Sequence, residues 1–93
     1  MNPPLTKEKA KVKFNGHWET WYSLKKLPIK AYKLPTKTHV DSRGVVLDKD
    51  GYIYVATTLV KMGDLIQTSL GMGKRHDTCS TAQTVEILTN WWN

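Results

Sequence analysis

The chain has 93 residues, 40% hydrophobic and 10% aromatic, with a formal net charge of +6. That length sets one domain with a modest core, and no run approaches the roughly 18 apolar residues of a membrane-spanning helix. A single cysteine, Cys79, excludes an internal disulfide, so packing has to hold the fold.

The N-terminal stretch MNPPLTKEKA combines Pro3-Pro4 with a Lys/Glu mixture and offers no core. Residues 1–10 therefore read as a flexible basic leader and 11–93 as the folded domain. The leader has charge but no apolar stretch of the kind that makes a signal peptide, so the product is expected in the cytoplasm unless lysis or fusion releases it.

Next comes KVKFNGHWETWYSL, with Val12 and Phe14 before Asn15-Gly16 and Trp18, Trp21 and Tyr22 after it. Asn-Gly between two β-prone runs predicts a hairpin. Pro28 and Pro35 exclude a helix or a central strand around them. DSRG and DKDG, at 41–44 and 48–51, read as tight turns bracketing a short VVL strand. GYIYVATTLV and GDLIQTSLGMG each carry a strand, and GMGKR reads as a turn exposing Lys74 and Arg75. TVEILTNWW alternates so that Val85, Ile87 and Thr89 share a face. The best helical candidates, 5–11 and 80–84, are short. Short, regularly spaced strands predict an all-β barrel or sandwich in a single small domain.

The charge is uneven. Residues 1–40 hold nine lysines against Glu8 and Glu19, whereas residues 41–93 hold five bases against six acids. A basic half fits an anionic partner such as nucleic acid, teichoic acid or an acidic protein; the plainer reading is a solvated lysine-rich face. Single-strand binders pair a cationic groove with stacking aromatics, yet Trp and Tyr in a small β domain more often serve the core.

WETWYS, VATTLVKMGDLIQTSLGMG and HDTCSTAQTVEILTNW, taken in order, resemble the three-aspartate ("3D") domain family. That family includes lytic murein transglycosylase A, cell-wall and spore-germination proteins, and small stand-alone relatives of phages and mobile elements. The resemblance spans roughly residues 14–92 and implies a six-stranded double-psi β-barrel linked to peptidoglycan. The first family aspartate has no counterpart, because Ala56-Thr57-Thr58 occupies its neighbourhood. Asp77 matches the second aspartate, Cys79 replaces the glycine after Asp-Thr, and Glu86 matches the third, which carries the catalytic acid in the transglycosylase branch.

Asp77 and Glu86 are thus the candidate catalytic acids. Glycan cleavage needs an acid that protonates the leaving oxygen. That acid has to stay protonated near neutral pH, which calls for burial or a nearby like charge. Trp18, Trp21 and Tyr22 are candidate sugar-stacking residues, Lys74 and Arg75 candidate anion contacts, and Trp91 and Trp92 either a core plug or an exposed partner patch. Asp77 beside Thr78 also suits a plain loop cap.

No cofactor or metal is implied. His76 and Cys79 lie close in sequence, but His17 and His39 are far off and paired zinc spacing is missing. A Cys79 nucleophile has no supporting motif, and GMGKR lacks P-loop spacing. The partner is expected to be a cell-wall glycan; the alternatives are a host protein, bound or inhibited without catalysis, and nucleic acid.

Overall fold

The computed structural model describes residues 4–23 and 38–91. They form eight strands: β1 (Lys11–Phe14), β2 (His17–Ser23), β3 (His39–Val40), β4 (Val46–Leu47), β5 (Ile53–Thr57), β6 (Leu65–Thr68), β7 (Gly71–Asp77) and β8 (Thr84–Thr89). No helix occurs among the described residues, so the short stretches 5–11 and 80–84 carry none.

The all-β expectation holds, with eight strands in place of six. The increase has a local cause. DSRG and DKDG turn the chain twice within a few residues, so that β3, β4 and β5 are separate strands, and Asn15-Gly16 adds β1 to β2. Asn15 and Gly16 have φ of 48° and 82°, the two positive values a type I′ hairpin turn requires.

The two Asp-x-x-Gly turns are built alike. Gly44 N–H donates to Asp41 O at 3.0 Å and Gly51 N–H to Asp48 O at 3.0 Å. Each aspartate Oδ1 then gathers two further N–H groups, those of Arg43 and Val45 on Asp41 and those of Asp50 and Tyr52 on Asp48. Short Asp side chains do this because they reach their own backbone two residues on.

All eight strands belong to one mixed sheet. Its path runs β1-β2-β8-β5-β4-β3, with β7 also on β5 and β6 on β7. β5 is the hub: it is antiparallel to β4 and β8 and parallel to β7. A second parallel pairing sets β2 beside β8, so residues 18–23 run alongside 84–89.

Every residue of β5 is buried, and five of the six in β8 are. One face carries Leu5, Val12, Val45, Ile53, Val55, Val85 and Ile87, with Trp21, Leu47, Leu59, Ile66, Leu70 and Trp91 packed on them. The other face carries a smaller cluster of Val46, Tyr54 and Leu88, with Tyr22 against it. Within the segment read as a leader, Leu5 is buried and its N–H donates to Ser69 Oγ at 3.1 Å.

Glu19 sits on the larger core face and is fully buried. Its carboxylate accepts both donors of Ser69, the N–H at 2.8 Å and the hydroxyl at 2.6 Å. Ser69 in turn accepts the Leu5 N–H, so one buried acid ties β2 to the β6–β7 turn and to the N-terminal segment.

The paired turns allow a controlled comparison. An added Cβ at Gly44 (φ +84°) would lie 2.5 Å from Asn90 Oδ1 and 2.9 Å from the Trp91 ring, whereas at Gly51 (φ +86°) it would meet nothing. Gly51→Ala is expected to lose only the left-handed strain, about 1–2 kcal/mol. Gly44→Ala should lose a further ~1–3 kcal/mol to overpacking. Urea denaturation of the two variants checks the difference.

Candidate functional site

Strand register places the two sequence-predicted acids on either side of Ala56. Ala56 on β5 is the partner of Glu86 on β8 at one edge and of Asp77 on β7 at the other. Glu86 is also the partner of Thr20 on β2, and Thr20 of Lys11 on β1. Directly paired residues share a face, so Lys11, Thr20, Glu86, Ala56 and Asp77 form one row across five strands. With strands about 4.8 Å apart, the Cα atoms of Asp77 and Glu86 stand roughly 10 Å apart.

A one-residue irregularity in β7 is decisive. Val55 pairs with Arg75 and Ala56 with Asp77, so His76 is the extra residue of a bulge. Without it Asp77 would face Thr57, whose hydroxyl is buried against Thr84 O at 2.8 Å on the opposite face.

Asp77 is exposed, and its Oδ1 accepts the Thr78 N–H at 2.8 Å, so it caps a loop while standing in the row. Glu86 is half-buried. The Tyr22 phenol lies close to both: burial first, then Tyr54, Asp77, Glu86 and Cys79, push its pKa far above the ordinary range. Tyr22 stays a neutral donor, and its OH is buried with no hydrogen-bond partner among the described residues. Burial and then Asp77 also raise the Tyr54 phenol.

Cys79 is buried beside Glu86. Burial raises its thiol pKa, and the Glu86 carboxyl pushes the same way. This is the reverse of what a nucleophilic cysteine needs.

His76 stacks on Tyr54 with ring centroids 4.7 Å apart and planes 12° from parallel. Its Nε2 is 2.8 Å from Asp48 Oδ2. Burial of Asp48 would raise its pKa, but the His76 contact and the N–H groups of Tyr52 and Asp50 outweigh this and hold it below the ordinary value.

The other site residues are distributed by alternation. On β2, Trp18 and Tyr22 share the face of the acid row, whereas Trp21 packs in the larger core edge-on to Trp91, with centroids 5.5 Å apart. Trp91 also donates its Nε1–H to Arg43 O at 2.8 Å, so it serves the core. Trp92 lies outside the described residues.

The reading of GMGKR as an exposed turn is corrected: these residues are the first five of strand β7, and Lys74 and Arg75 are half-buried. The reason is their pairing on both edges, with β5 and β6. Arg75 clamps backbone, donating to Val60 O at 2.7 Å and Asp77 O at 3.1 Å. Lys74 pairs with Asp50 at 3.3 Å and lies 4.9 Å over the Tyr52 ring.

Tyr54, His76, Asp48 and Ala56 were missed as site residues. Tyr54 had a signal, since it alternates with Ala56 along IYVAT; His76 had none, because a bulge is invisible in the sequence.

Among the described residues, no group of three or more His, Cys, Asp and Glu side chains is placed to hold a metal ion. No described helix is long and apolar enough to cross a membrane. No protein-family model, curated protein or solved structure matches the chain.

Two outcomes are expected. Because the folded pKa of Asp48 is lowered, its contribution to stability is complete above the ordinary aspartate value near 4 and disappears as pH falls from there through the folded value. Asp48→Asn should cost about 1–3 kcal/mol at pH 7. Its stability should then fall less steeply below pH ~4 than that of the wild type, with Asp41, lowered likewise, supplying the remaining slope. Denaturation midpoints measured from pH 7 to 2 read both effects. Separately, native Cys79 should react with a thiol reagent only as fast as the protein opens, and full reactivity should appear in denaturant.

Proposed function

We propose that this chain is a small peptidoglycan module of the 3D type, acting on glycan strands through the Asp77–Ala56–Glu86 row. The observation that carries this reading is the register: two acids on different strands flank one small residue on one face, with Tyr22 and Tyr54 beside them. The two parallel pairings, β2 with β8 and β5 with β7, support a double-psi arrangement of the strands.

In this reading Glu86 is the proton donor. It protonates the bridging oxygen as the bond from that oxygen to C1 breaks. The resulting carboxylate takes the proton of the same sugar's C6 hydroxyl, whose oxygen closes on C1. The product is an intramolecular anhydro ring, no water is consumed, and Glu86 returns to its starting state. Asp77, exposed at the end of β7, accepts hydrogen bonds from sugar hydroxyls and orients the strand.

The test is digestion of purified peptidoglycan with mass-spectrometric detection of anhydro-sugar ends. Wild type should release them, and Glu86→Gln should slow release by about 10²-fold or more, as expected for a lost general acid. Asp77→Asn should weaken glycan binding more than it slows turnover. A wild-type protein that neither binds nor cleaves the glycan would overturn the proposal.

A further inference from the structure

We propose that His76 is a positioning residue: its ring, bonded to Asp48 and stacked on Tyr54, holds the β7 bulge and so decides which face Asp77 occupies. This placement is independent of what the row acts on, so it goes beyond the glycan reading.

Two registers compete at the end of β7. Arg75 is the partner of Val55 in both. Regular pairing would set His76 opposite Ala56 and Asp77 opposite Thr57, whose side chain is buried on the other face. The bulge sets Asp77 opposite Ala56 and leaves His76 without a partner on β5. A bulge disrupts the ladder at its extra residue, so another contact has to hold that residue in place.

The His76 side chain supplies it. Its Nε2 lies 2.8 Å from Asp48 Oδ2, and the two side chains are 21% and 2% exposed. Asp48 is itself fixed, because its Oδ1 accepts the N–H groups of Asp50 and Tyr52 at 2.9 and 3.0 Å. That leaves Oδ2 for His76. The His76 ring also lies flat on Tyr54, with centroids 4.7 Å apart and planes 12° from parallel. Tyr54 is buried in β5, two positions before Ala56. The ring is thus committed to Tyr54 and to the turn after β4, and the place beside Ala56 passes to Asp77. Asp48 lies 28 residues before His76, so a turn distant in the chain sets the position of an acid in the row.

A second force acts in the same direction. The Asp77 carboxylate would lose water if it turned to the buried face of Thr57. The test removes this force so that His76 is read alone. In a Cys79→Ser background, Ala56→Cys/Asp77→Cys places two thiols on directly paired residues. Neighbouring strands are about 4.8 Å apart, within the roughly 4.4–6.8 Å between Cα atoms that a disulfide spans. In the regular register the two thiols would stand on opposite faces and could not join.

Mild oxidation should therefore cross-link this pair rapidly. Adding His76→Ala should slow the reaction about tenfold, the size expected from losing one ring stack and one hydrogen bond to a carboxylate. His76→Phe keeps the stack and loses the bond, so its rate should fall between. Deleting His76 puts residue 77 directly after Arg75, where regular pairing meets Ala56, and should restore rapid cross-linking. A residue that only adds stability predicts no such rescue. Thermal melting checks that each variant is folded; if His76→Ala is not, His76→Phe decides. If a folded His76→Ala or His76→Phe variant cross-links as fast as its parent, or the deletion stays slow, the proposal is overturned. No saccharide is present in the assay, so this outcome leaves the glycan reading untouched.

Discussion

The structure depends on the two-sided burial of β5. Its residues Ile53 to Thr57 are buried on both faces, and its edges are used by β4, β7 and β8. A strand enclosed in this way admits little choice of side chain or register, because slipping by one residue exchanges the two faces. On the smaller face, Ala56 stands between Glu86 on one neighbouring strand and Asp77 on the other.

Polar groups complete what the small apolar core begins. A chain of this length buries a limited fraction of its surface, and much of its tertiary definition comes from satisfied acids. Glu19 takes both donors of Ser69 inside the core. Asp41 and Asp48 close successive turns, and Asp48 also holds His76 against Tyr54. Leaving a buried polar partner unmatched costs more than the bond itself contributes, so each of these acids enforces a local geometry.

The candidate site takes its character from neighbours that hold their protons. Tyr22 and Cys79, both raised by burial, are neutral beside Glu86. Glu86 therefore has a neutral phenol and a neutral thiol as neighbours. A raised thiol pKa disfavours the thiolate that nucleophilic chemistry needs.

Much of the local structure was legible in the amino-acid sequence, because it follows from short-range chemistry. Asn15-Gly16 announces its hairpin through positive φ, DSRG and DKDG announce their turns through Asp and Gly, and TVEILT announces a strand through alternation. Asp77 and Glu86 stood out as candidate acids through the resemblance to the 3D family, whereas local chemistry marked Asp77 only as a loop cap. Only the tertiary structure decided that they flank Ala56 on one face, since this depends on the pairing of β5 with both β7 and β8 and on one bulge at His76. It likewise decided that Glu19 is a buried strut and that Lys74 and Arg75 lie within a strand. Side-chain environment is set by what packs from elsewhere in the chain, and no local pattern encodes it.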